Sequence, residues 1–321
     1  MALSDLAVFS EYTYSAFTEV LDQQIDLFNA QSRNTLVLTA GANQGDYAEE
    51  AFWKKMTGLV RRRNAYGSGA VSSINLEHLL DTSVKVASST PPVSIPPSEM
   101  SWIQRSPKER GAALGQQLAV DMLADMVNTG INCCRVALSQ VAEVNYDGTG
   151  DTVPTLDSRQ LNNGSRLFGD RSQSIVAWLM HSTPVHDFYA NAIDNANRLF
   201  EYGTVSVVSD AFGRVFIVSD CPSLITPGSP DNYHTLGLTT GAVVVQQNND
   251  FIDNLETSNG DENIQRTYQA EWTNNIGVKG FAWDKTSGDK SPSDAALATA
   301  TNWDKYATSN KDIAGVIVTT L

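Results

Sequence analysis

The chain has 321 residues, 41% of them hydrophobic, enough to bury roughly three quarters of its unfolded surface without disulfide or metal staples. Its formal net charge of -14 repels phosphate, which argues against gripping nucleic acid or an anionic membrane but allows a container that encloses nucleic acid without holding it. The three cysteines include the adjacent Cys133 and Cys134 and form neither a disulfide framework nor a metal-ligand spacing, and no apolar run approaches the roughly 20 residues of a membrane span.

The opening MALSDLAVFSEYTYS lacks the basic-then-apolar order of a secretory signal, so synthesis and assembly in a cytoplasm are expected. Phe17, Val20, Leu21, Ile25 and Phe28 recur at helical spacing, and Leu36 to Leu38 reads as a short strand. So near a terminus, the partner of this apolar stripe is expected in another subunit. Residues 41–89 are polar and dotted with glycine, with strand-like patches at Ile74 and Leu76 and at Val84 and Val86, and with the basic run Arg61, Arg62 and Arg63. With too little apolar content for a core, this stretch reads as an extended hairpin lying on a neighbour, where the arginines meet carboxylates. A solvated loop is the alternative.

Pro91, Pro92, Pro96 and Pro97 predict a stiff extended connector, which is also the expected hinge of the hairpin. Ser106-Pro107-Lys108-Glu109 then predicts a helix start with a capping box and proline in the first turn. The helix is expected to run to about Glu143, with Leu114, Leu118, Met122 and Met126 on one line of core residues. Gly115 and Gly130 argue against it, each costing roughly 1 kcal/mol relative to alanine.

After a polar loop over 145–170, the stretch SQSIVAWLMHSTPVHDFYANAIDNANRLFEY predicts two helices, the second starting at Thr183-Pro184. Its stripe is Val185, Phe188, Ala192, Ile193, Ala196, Leu199 and Phe200. Strands are predicted at Val205 to Val208 and Val215 to Val218 around a turn at Asp210 to Gly213. Others are expected at Ala242 to Gln246, Gln265 to Trp272, Val278 to Trp283 and Ile313 to Val318. Without regular alternation of strand and helix, the class is α+β.

Catalytic and cofactor patterns are absent: there is no G-x-S-x-G elbow, no phosphate-cradling G-x-x-x-x-G-K-[ST] and no G-x-G-x-x-G. No catalytic residue, cofactor or metal is expected. His181, His186 and Asp187 come nearest to a cluster, but the histidines are five apart with Pro184 between, against the four of a zinc-protease helix. Tyr146 to Asp151 lacks the closing glutamate of a calcium loop and reads as a plain turn, and Asn163-Gly164-Ser165 matches a glycosylation acceptor without a secretory context.

Several stretches together resemble the major capsid proteins of tailed bacteriophages with the Hong Kong 97-type fold. They are LFNAQSRNTLVL, SIVAWLMHS from Ser174 to Ser182, Gly213 to Asp220, Leu238 to Ala242, Asn302 to Lys305 and Lys311 to Ile313. The resemblance implies an α+β fold with an N-terminal arm over 1–38, an extended hairpin loop over 39–89 and a peripheral domain with a spine helix over 90–144. An axial domain over 145–256 and a return to the peripheral domain with a C-terminal strand over 257–321 complete it. It further implies self-association into hexamers and pentamers closing an icosahedral head around double-stranded DNA. A portal protein, scaffolding and decoration proteins are the implied partners, with no membrane, and no scaffolding segment is fused ahead of the arm. Met180, His181 and Ser182, at the end of a helix, would be packing residues. Other readings are an encapsulin-like shell for protein cargo, a phage tail-tube protein, and a cytosolic hydrolase using His181, His186 and Asp187.

Overall fold

The computed structural model describes all residues except 1–2, 42, 44, 55, 57–58, 97–102, 104–105, 200–212 and 260–263, and only the backbone of 3–6 and 191–199. The expected strand at Val205 to Val208, most of the turn after it, Pro97 and the stripe positions from Ala192 to Phe200 lie outside these described residues or side chains. Helix α1 (Leu3–Gln31) leads into strand β1 (Leu36–Ala40), β2 (Tyr47–Trp53), β3 (His78–Ser89) and β4 (Val93–Ser94). Then come α2 (Pro107–Ser139), β5 (Asn145–Asp147), α3 (Ser158–Arg166), β6 (Ile175–Met180), α4 (Ser182–Leu199) and β7 (Val215–Val218). The rest is β8 (Ile225–Thr226), β9 (Asn232–Thr239), β10 (Val243–Gln247), β11 (Ile252–Ser258), β12 (Gln265–Val278), β13 (Phe281–Trp283), α5 (Asp294–Leu297), β14 (Trp303–Lys305) and β15 (Gly315–Thr320). None of the described helices is long and apolar enough to cross a membrane.

Among the described residues the strands form two sheets. The first runs β1-β10-β12-β13-β14, with β11, β3 and β4 also paired to β12 and β2 to β3. The second runs β5-β15-β9-β6-β7, with β8 on β9. β12 is the axis of the first sheet: Tyr268, Ala270, Trp272, Ile276 and Val278 alternate along its buried face, and only Asn275 is buried out of step with them. The sheets do not follow the expected boundary at residue 256. β10 and β11 already belong to the first sheet, while the C-terminal strand β15 pairs with β9 in the second.

The expectation for the arm needs correction. The stripe of α1 is buried in its own chain: Phe9, Phe17 and Leu21 are each at most 3% exposed, contributing roughly 2 kcal/mol apiece. Phe9 meets Tyr268 edge-on at 6.5 Å, and Phe17 stacks on Phe251 at 4.6 Å, which in turn stacks on Trp272 at 6.2 Å. This close approach explains the glycines of α2. A methyl group on Gly111 would lie 2.5 Å from the Phe9 carbonyl oxygen, and one on Gly115 would lie 2.4 Å from that of Thr13. α2 has proline in its first turn, as expected, but Ser106 makes no side-chain cap, and the helix ends at Ser139 before a short 3-10 turn.

Ile175 to Met180 is a strand and not the helix expected there. Its burial on nearly every position fits a strand covered on both faces, between β9 and β7, a pattern that a short apolar run shares with a buried helix. β6 and β7 are parallel, and α4 belongs to the segment joining them, which is the connection a parallel pair requires. Ile74 and Leu76 belong to no strand, whereas Val84 and Val86 sit in β3. The proline connector is extended, and Thr90 donates to the Ala270 carbonyl at 2.8 Å and Ile95 to that of Arg266 at 2.8 Å, stitching it along β12.

Candidate assembly surfaces

β2 and β3 make an antiparallel hairpin in continuous register from Tyr47 opposite Val84 to Trp53 opposite His78. Its base is bolted to the chain's own 284–290 loop. Glu49 pairs with Lys285, Asp46 with Lys290 at 3.7 Å, and the Tyr47 hydroxyl donates to the Asp289 carbonyl at 3.2 Å. Beside them the Tyr306 hydroxyl donates to Asp81 at 3.1 Å, and burial pushes the Asp81 carboxyl above its ordinary range. At the far end, the Trp53 and His78 rings lie tilted by 34° with centres 3.8 Å apart, and Lys54 pairs with Glu77 at 2.6 Å.

Beyond this clasp the chain makes no regular structure among the described residues up to His78. It carries a concentration of uncovered apolar side chains: Leu59, Val60, Tyr66, Val71, Ile74 and Leu76 are all exposed, Val60 at 94% and Tyr66 at 99%. Single exposed apolar residues are ordinary, but this many on one projecting loop mark a surface made to be covered. The sequence offered only a weak signal for them, since apart from the adjacent Leu59 and Val60 they are scattered among polar and small residues. Arg61, Arg62 and Arg63 lie on the same loop, all exposed and, among the described residues, in no ion pair or hydrogen bond.

His181 faces Asp220, its Nε2 3.4 Å from Oδ1, and Asp220 also accepts from the Ser182 backbone N–H at 3.2 Å. The Ser182 hydrogen bonds hold the Asp220 carboxyl below its ordinary range, with His181 adding to the effect. The Ser219 N–H also donates to the Met180 carbonyl at 3.0 Å, so these contacts tie the end of β6 and the start of α4 to the residues after β7. His186 is exposed on α4, and burial raises the carboxyl of Asp187. Among the described residues no three His, Cys, Asp or Glu side chains are placed to hold a metal. The thiols of Cys133, Cys134 and Cys221 are unpaired with one another and buried; burial pushes that of Cys134 up to about 12 and raises that of Cys133 as well. The turn at 146–151 is local, with Asp147 accepting from the Thr149 N–H at 3.0 Å and hydroxyl at 2.7 Å.

The chain's fold is that of phage capsids. It superposes on the capsid of Ralstonia phage GP4 with a TM-score of 0.51 at 11% identity, covering 90% of this chain and 87% of that one. Microbacterium phage Oxtober96 gives 0.52 at 11% identity with 88% of each chain covered, and the capsid asymmetric unit of Cyanophage Pam1 gives 0.51 at 12% identity with 86% and 84% covered. No curated protein matches the chain. The family model of major capsid protein 13-like proteins matches residues 5–317, so the chain belongs to that family and is a phage major capsid protein of the virion head.

Proposed function

We propose that copies of this chain assemble as hexamers and pentamers into a closed icosahedral head around double-stranded DNA, with the hairpin of each copy laid across the next. The observation that carries this reading is the run of bare apolar side chains between Leu59 and Leu76 on a loop that the rest of the chain does not cover. Obligate interfaces commonly bury roughly 2,000–5,000 Å², an area that a projecting hairpin supplies more readily than a flat face. In this arrangement the first sheet with α1 and α2 forms the peripheral body, and the second sheet with α3 and α4 forms the axial one. A net charge of -14 suits a wall that must not trap the DNA moved in behind it.

The role is structural and not enzymatic, a reading supported by the family match and the capsid likenesses. Assembly takes place in the host cytoplasm, and a portal, scaffolding and decoration proteins are the partners this reading brings with it. Negative-stain microscopy of the expressed protein, alone and with the candidate scaffolding protein, tests it: closed shells are expected, and open tubes or a persistent monomer would overturn it. Nuclease-protected DNA in particles from infected cells separates a phage head from a shell built for protein cargo.

A further inference from the structure

Charge is spread unevenly along this acidic chain. Residues 54–77 carry five cations, Lys54, Lys55, Arg61, Arg62 and Arg63, against Glu77 alone, a net of +4 in a molecule of -14. α1 is the opposite extreme, with Asp5, Glu11, Glu19, Asp22 and Asp26 and no Lys or Arg, a net of -5. At 3.6 residues per turn, Glu11, Glu19, Asp22 and Asp26 fall within an arc of about 80°, facing away from the buried Phe9, Phe17 and Leu21. All four are exposed, and among the described residues none forms an ion pair within the chain; Glu19 accepts only from the neutral Gln23 amide at 3.5 Å. One cation does lean on this helix, but Lys108 sits over the Tyr12 ring, 5.1 Å from its centre.

We propose that Arg61, Arg62 and Arg63 of one copy dock on the acidic outer face of α1 in an adjacent copy. The inference rests on the head reading above and assigns the arginines their partner. Glu19, Asp22 and Asp26 repel one another along the helix, a cost that a row of guanidinium groups removes. The dimensions agree: residues 19–26 span about 10 Å of helix axis and three residues of extended chain about 7 Å, a difference that long arginine side chains close. Tips and stripes also occur in equal number, so in a closed shell each tip has one stripe to occupy. Exposed Tyr12 and Leu27 on the same helix offer apolar contact to the bare residues of the hairpin.

The test is charge reversal in full-length protein, read as particle yield by sedimentation and microscopy. Arg61→Glu/Arg62→Glu/Arg63→Glu and Glu19→Arg/Asp22→Arg/Asp26→Arg should each lower the yield at least about tenfold, and the six-fold combination should restore most of it. If the hairpin reversal blocks assembly while the α1 reversal assembles normally, or if the combination does no better than its parents, the docking face is wrong although the head reading stands. If the unsubstituted chain makes no shells, both readings fall. Normal shells that lack DNA from the hairpin reversal would assign the arginines to the packaged duplex and overturn the proposal. A crosslink guards against misfolded variants: in shells of Arg62→Cys/Asp22→Cys, mild oxidation should link neighbouring copies in a disulfide-dependent ladder, whereas monomers alone would count against the contact.

Discussion

Gly115 is a position where helix propensity and packing pull in opposite directions. Alanine there would favour the isolated helix by roughly 1 kcal/mol, yet its methyl group would sit 2.4 Å from the Thr13 carbonyl oxygen. Overpacking wins, because the obstacle is backbone: Gly115→Ala should destabilise the monomer by about 1–3 kcal/mol net in chemical denaturation. His234 is the second informative residue. Its ring lies between Thr226 Oγ1 at 2.8 Å and Thr319 Oγ1 at 3.1 Å, and burial, reinforced by Arg135, lowers its pKa from 6.5 to about 4. The unfolded chain therefore takes up this proton first. The contribution is complete above about pH 6.5 and is lost as pH falls through 4, by an amount of order 2 kcal/mol. Denaturation midpoints measured from pH 7 to pH 4 should fall more steeply for the native chain than for His234→Gln, which removes the titration.

At the scale of the element, α3 shows how a cap turns a polar stretch into a helix. Asp157 accepts from the Gln160 N–H at 2.8 Å and the Gln160 side chain accepts from the Asp157 N–H at 3.3 Å, a complete capping box. The motif Asp157-Ser158-Arg159-Gln160 was present in the sequence, but with little apolar periodicity behind it the region reads as loop. Asp157→Ala should cost about 1 kcal/mol and lower Tm by about 2 °C, checked by calorimetry of the monomer. The converse holds at α2. There the sequence offers Ser106 and Glu109 as a box, but Ser106 makes no cap, and proline in the first turn is what remains of the signal.

For the whole molecule, the decisive division is between a body that closes on itself and a hairpin that does not. Trp53 stands opposite His78, so the strands can be joined there by a tight turn without changing register. Replacing residues 54–77 with Asn-Gly should leave the melting curve close to that of the full chain while abolishing shell formation. A truncated chain that still closed into shells would remove the hairpin from the assembly account. Elsewhere the body is held by reciprocal pairs far apart in sequence: Lys311 with Asp170, and Arg171 with Asp312. These are exposed and are expected to add little stability, but they set where the last segment crosses back to the second sheet.

The α+β class, the long helix from Pro107, the strand at Leu36 and the projecting hairpin were legible in the amino-acid order, because proline placement and periodicity act over a few neighbouring residues. Other features depended on contacts between distant residues. Ile175 to Met180 is a strand because β9 and β7 flank it, β15 joins the second sheet because β9 is there to receive it, and α1 packs on its own chain because Gly111 and Gly115 of α2 admit its backbone. Hydrogen bonding to a neighbouring strand and close approach of two helices are satisfied only in three dimensions, so local pattern could not decide them.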